Sequence, residues 1–329
     1  MRYNRLFHLA AIILFLGPTK LSDGLLLNPS SSILRKPQTL PPPLRWQQFR
    51  PTTTGRSSSL SAAGSVVPIT TTAAKIAVGV MGLSTTISTL APARNLQIFG
   101  FESTKTSNFI MLEIGAVGHS LFLMLYLQLF QHVPFLPAAA YHFVPYLYKN
   151  IHCHLNGKFI ESGSPKYFGP ITTALALLTA SSCLYCPVMD TVRGGVSSIG
   201  ELAIKTFSII TCLKGLAAIT LPHKFLKHWN SSESHSTATD TATTATEQTN
   251  VHMLHLMGWT WLAHGVYLGT QAWNHMSPVQ ALGSMMAVFT ASVASPSLVS
   301  KVYDNLNIPK GKFLAYLVFG TIITIALFR

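Results

Sequence analysis

The chain has 329 residues, of which 48% are hydrophobic and only 10% charged, against roughly 25% charged in an ordinary soluble domain. That is too little charge to solvate a surface of this size, so a single water-soluble globule is excluded and much of the surface must face lipid. The net charge of +13 is not a nucleic-acid footprint: eight Lys or Arg lie between Met1 and Ala63, and the others sit mainly in loops between apolar segments, where they anchor topology.

Residues 1–24 have the build of a signal peptide. Arg2 and Arg5 precede an apolar run from Leu6 to Gly17, which is too short to span a bilayer. Residues 25–72 are rich in Ser, Thr, Pro and Arg, and no Asp or Glu occurs between Gly24 and Phe101. This is the composition of an organelle transit peptide, or of a disordered luminal tail. Taken together, the two stretches resemble the two-part presequences of algae with secondary plastids. That resemblance implies an endomembrane or plastid membrane of a eukaryote.

From residue 73 onward the chain reads as an all-α, polytopic membrane protein with about eight transmembrane helices: 73–92, 108–131, 133–148, 169–188, 204–222, 251–273, 278–300 and 312–328. The third segment carries Pro134, Pro137 and Pro145, and reads as a kinked span or a re-entrant segment. Marks recur in the same order along the two halves. Met111-Leu112 opens the second segment, and Met253-Leu254 opens the sixth at an offset of 142. Gln128-x-x-x-His132 closes the second and Gln271-x-x-x-His275 closes the sixth at an offset of 143. The order suggests two tandem four-helix units, 73–190 and 191–329; an even number of helices per unit gives parallel repeats. The low-complexity stretch within 229–250 is nearly free of apolar side chains and reads as a disordered loop.

Loop charge sets orientation. Arg94, Lys105, Lys149, Lys158 and Lys166 fall on one side, joined by Lys224, Lys227, Lys301, Lys310 and Lys312, which makes that side cytoplasmic or stromal. Both termini then lie on the luminal side. Asn230-Ser231-Ser232, the only glycosylation sequon, falls on the non-luminal side and should carry no glycan.

The residues able to carry chemistry are few. Intramembrane ionisable groups are costly in lipid and turn toward a bundle interior. Glu113 and His119 on the second segment and His255 and His264 on the sixth therefore outline a candidate polar cavity for protons, ions or a polar head group, with Glu113 and His255 at matching places in the two halves. Lys214 and His142 lie within the fifth and third segments. Cys183-x-x-Cys186, at the end of the fourth, is a candidate redox pair; its bland reading is helix packing by two small residues. His152-Cys153-His154 lies in the loop before that segment, a helix length from the cysteine pair, so the two groups cannot share a metal. No motif names a catalytic residue, a metal site or a cofactor, and haem held by two histidines is a narrow alternative. The function expected is a small-solute or ion/proton-coupled transporter, or a similar non-catalytic membrane protein, with the lipid bilayer and a small solute or ion as partners and no nucleic acid. The alternatives are a membrane oxidoreductase using thiols or haem, and a structural or assembly factor of an organelle membrane.

Overall fold

The computed structural model describes residues 69–185, 199–229, 240–295 and 310–328. The signal-like and transit-like stretches, Cys186 and the Asn230 sequon lie outside the described residues. Among those described, all regular secondary structure is helical and there is no strand. Twelve helices follow in order among these residues: α1 Ile69–Leu90, α2 Pro92–Phe99, α3 Lys105–Leu129, α4 Phe135–Tyr141, α5 Phe143–Leu155, α6 Lys158–Glu161, α7 Phe168–Tyr185, α8 Ile199–Thr220, α9 Pro222–Trp229, α10 Asp240–Asn274, α11 Pro278–Ala294 and α12 Lys310–Leu327.

The described part of each of the eight apolar segments is largely helical. Three helices, α1, α3 and α8, are long and apolar enough to cross a membrane by themselves; α7, α11 and α12 contain shorter apolar helices. Their outward faces are greasy. Ile76, Val80, Leu83 and Ile87 of α1 are exposed at three- and four-residue spacing, as are Leu314, Val318, Ile322 and Ile325 of α12. A stripe with this period covers one side of a helix, and apolar stripes left outside a folded chain suit acyl chains as their solvent.

The helix ends follow from local chemistry. Thr104 caps α3 in a reciprocal box with Ser107, and Ser277 caps α11 with Gln280. Pro92, Pro222 and Pro278 each stand at the first position of a helix, where the missing N–H costs nothing. Pro145 acts differently. It cannot donate to the carbonyl of Tyr141, and its ring crowds that turn. The helix is therefore interrupted at His142, and the third segment becomes two pieces, α4 and α5, that reach Leu155. This places Lys149 inside a helix with only 3% of its surface exposed, which corrects its reading as a loop charge. His152, Cys153 and His154 likewise lie in the last turn of α5, with Cys153 buried, instead of in a loop. The sixth segment also begins earlier than its hydropathy suggests. Residues 240–250, read as the end of a disordered loop, form the first three turns of α10. Thr246 donates to Glu102 at 2.8 Å, and Thr104 donates to Asn250 at 3.2 Å, so this extension is held against the start of α3.

α1 packs on α3, and α8 packs on α10. α3 and α10 lie against each other. α4 and α5 pack between α3 and α7, as α11 packs between α10 and α12; α7 meets α8, and α12 returns to α1. The close crossings use matching positions. Gly115 of α3 sits on Ser88 and Thr89 of α1, while Gly258 of α10, at an offset of 143, sits on Gly215, Ala218 and Ile219 of α8. Gly82 meets the Phe122 ring in the first crossing, and Gly265 meets Cys212 at the corresponding point of the second. A Cβ on Gly215 would lie 2.7 Å from both Gly258 O and Leu262 N, so these two backbones touch and no larger residue fits.

Candidate functional site

The helix partners bury a column of polar side chains between α3, α5, α8 and α10. It begins at Glu113, one of the few acidic residues of the chain, which is wholly buried on α3. The hydroxyl of Tyr146 donates to Glu113 Oε1 at 2.7 Å, and Lys149 Nζ forms a salt bridge with Oε2. Tyr146 and Lys149 are three residues apart on α5, so they share one face and grip the same carboxylate. Burial of two charges costs several kcal/mol per ion unless each is paired and hydrogen-bonded. Here the second oxygen and the ammonium both have further partners: the Tyr146 hydroxyl for one, and for the other the rings of Tyr146, Phe109 and Phe159 at 4.6, 5.6 and 5.7 Å. Asn150, on the next position of the same helix, donates to Thr172 and Thr173 of α7, and its Oδ1 is buried without a partner among the described residues.

A second lysine faces this group. Lys214 Nζ of α8 stands 3.5 Å from the centroid of Trp261 and 4.5 Å from that of Phe168. It has neither hydrogen bond nor acidic partner among the described residues, and the charges of Glu113 and Lys149 both act on it. The cluster thus holds two ammonium groups and one carboxylate.

Further along α10 stands a pair of imidazoles. His142, at the break between α4 and α5, places Nε2 3.0 Å from His264 Nε2, and its Nδ1 bonds the carbonyl of Ala139. A carbonyl only accepts, so Nδ1 carries the proton; in a neutral ring Nε2 is then an acceptor, and His264 must donate to it. Phe207 packs edge-on against His264. At the far end of α3 and α10, Gln128 Nε2 donates to Gln271 Oε1 at 2.8 Å, and the Tyr267 hydroxyl donates to Gln128 Oε1 at 2.6 Å. Fifteen residues separate Glu113 from Gln128 along α3, so the column runs for about 22 Å at the rise of an α-helix.

The expected joint cavity of Glu113, His119, His255 and His264 is divided into separate neighbourhoods. Glu113 belongs to the lysine cluster and His264 to the imidazole pair. His119 lies between α3 and α1, its Nε2 3.2 Å from Thr86 Oγ1 and its Nδ1 3.1 Å from Thr89 Oγ1. His255 is half-buried with its ring edge-on to Trp259 at 6.1 Å. Glu113 and His255 stand 142 residues apart, whereas the glycines at the two crossings, Gly115 and Gly258, stand 143 apart. Cys183 is buried, with its Sγ 3.8 Å from the carbonyl of Gly200. No group of three or more His, Cys, Asp or Glu able to hold a metal ion occurs among the described residues.

Sequence reasoning missed Tyr146, Lys149 and Trp261. Lys149 looked like a topology anchor because it falls one residue past the third apolar segment, 133–148. The α5 pattern Tyr146, Lys149, Asn150, Cys153 is nonetheless a polar face at helical spacing, and that was the available signal.

No protein-family model, no curated protein and no solved structure matches this chain.

Proposed function

We propose that the chain is an integral membrane protein that moves a proton, an ion or a small polar solute through the interior column described above. The observation that carries this reading is the Glu113–Lys149–Tyr146 cluster with Lys214 beside it. Ionisable groups are expensive within a bilayer and are kept where they line a pathway or relay. A helix broken at His142 supports the same reading, because interrupted helices at membrane depth expose backbone groups and polar side chains toward a translocation path.

In this proposal all eight helical segments cross the membrane, as two tandem four-helix units related by a pseudo-twofold axis between α3 and α10. The offset of 143 on one helix and 130 on the other, shared by both glycine crossings, supports a duplication. The presequence composition supports an endomembrane or plastid location. A haem-based oxidoreductase is the weaker alternative: the 3.0 Å contact between His142 and His264 leaves no space for a metal, whose two bonds of about 2.0–2.1 Å would need about 4 Å between the nitrogens.

The test is flux. Purified protein in vesicles with a trapped pH dye, given a pH step and a permeant counter-ion, should dissipate the gradient. The charge-free variant Glu113→Leu/Lys149→Met should fold and fail to do so. Equal flux from this variant and the parent protein would refute the proposal.

A further inference from the structure

A cavity of about 430 Å³ opens between the ends of α3 and α10, at the opposite end of the column from the lysines. Its polar lining comes in pairs, one member from each half: Gln128 with Gln271, and His132 with His275. The two glutamines are 7% and 6% exposed and form the floor; the two histidines are exposed at the rim. Val133, Phe135, Met276 and two prolines make the walls, and among the described residues no acidic side chain, lysine or arginine lines it.

Two features mark it as more than a gap between helix ends. The first is backbone geometry. His132 and His275 have φ of 52° and 51°, and they are the only non-glycine residues with positive φ among those described. Each follows a helix whose end is closed in the same way, by Val133 N–H donating to Leu127 O and by Met276 N–H donating to Thr270 O. Glycine is the residue that fits this position without strain. Both halves instead keep an imidazole there, in a conformation that costs stability, and aim both into one cavity. The second feature is the donor ledger of the floor. Gln128 Oε1 is taken by the Tyr267 hydroxyl and, at 3.4 Å, by Gln271 Nε2; Gln271 Oε1 is taken by Gln128 Nε2. Each amide nitrogen carries two hydrogens, so each retains an N–H with no acceptor in these pairings.

The chemistry selects the occupant. The carbonyl ends of α3 and α10 and the N–H ends of α4 and α11 all border the cavity, so their dipoles offset one another, and among the described residues no lysine or arginine lines it to hold an anion. Two imidazoles fall short of the three or four protein ligands of a stable transition-metal site, and 430 Å³ is the room of a small organic ligand. The geometry assigns the cavity to an uncharged ring compound with an apolar body and carbonyl acceptors on opposite edges, of which a quinone head group is the simplest example. Acceptors on opposite edges match donors supplied from opposite halves. This assignment stands apart from the transport reading, since it requires the cavity alone and no movement of solute.

The test uses full-length protein in nanodiscs and duroquinone, whose fully substituted ring does not add to thiols. Saturable binding of one duroquinone per chain is expected. His132→Gly and His275→Gly should each weaken it at least tenfold while leaving the Tm equal or higher, because glycine relaxes the positive φ as it removes the donor. Absence of saturable binding, or the same affinity in both glycine variants, overturns the assignment. So does Zn²⁺ or inorganic phosphate bound through these histidines without competition from duroquinone.

Discussion

Remove the carboxylate of Glu113 and two lysines remain in the interior with no acid between them. The ion pair is fully desolvated, at 0% and 3% exposure, so its loss falls in the range of about 3–5 kcal/mol found when one partner of a buried pair is deleted. The low end applies, because Lys149 keeps three aromatic faces. Glu113→Leu should therefore cost about 3 kcal/mol, roughly a hundredfold in the folding equilibrium. Lys149→Met should cost less, about 2 kcal/mol, because Glu113 retains the Tyr146 hydroxyl and the field of Lys214. The double variant buries neither charge of the pair, although Lys214 is left without an acid, and should cost less than Glu113→Leu alone. Equilibrium unfolding in mixed micelles measures all three. If Lys149→Met is the more harmful single change, or the double variant shows the sum of the singles, the charge argument is wrong.

Three further outcomes follow from packing and hydrogen bonding. Gly215→Ala drives a methyl into the backbone of α10 and should destabilise by about 1–3 kcal/mol, whereas Gly79→Ala meets nothing within 4 Å and should be neutral or stabilise by about 0.5–1 kcal/mol; parallel thermal melts separate them. Tyr267→Phe removes one donor from Gln128 but leaves the Gln128–Gln271 pair, and should cost about 0.5–2 kcal/mol in the same assay. A membrane-permeant maleimide should modify half-buried Cys212 well before Cys153, which is 0% exposed; mass spectrometry of partly labelled protein reads the order, and equal rates would contradict the burial.

The helical nature of this chain, with helices long and apolar enough to cross a membrane, was legible in its sequence because apolar runs and low charge act through composition alone. Helix boundaries were legible near prolines, as at Pro92 and Pro278. Glu113 and His264 were legible as interior groups because a titratable side chain amid apolar neighbours has few other places to go. Their partners were not. Lys149 is separated from Glu113 by 36 in sequence number, and His142 from His264 by 122, and only the packing of α5 on α3, with His142 at its start meeting α10, brings them together. Gly115 and Gly258 likewise show their role only through backbone contact, and that contact exists only in three dimensions.

In the proposed eight-span topology, the interruption at His142 bears on how the chain enters its membrane. Neither α4, with seven residues, nor α5, with thirteen, reaches the roughly 20 residues that a lone span requires, and Lys149 adds an insertion penalty of about 2.5–3.5 kcal/mol at mid-bilayer. A translocon reading one segment at a time would leave this stretch behind. Synthesis order supplies the remedy: α3, bearing Glu113, is made first, so the neutralising carboxylate is already in the lipid when the lysine arrives. On that topology, biogenesis would depend on a pairing event between successive segments, and a chain lacking Glu113 should strand its third segment at the membrane surface.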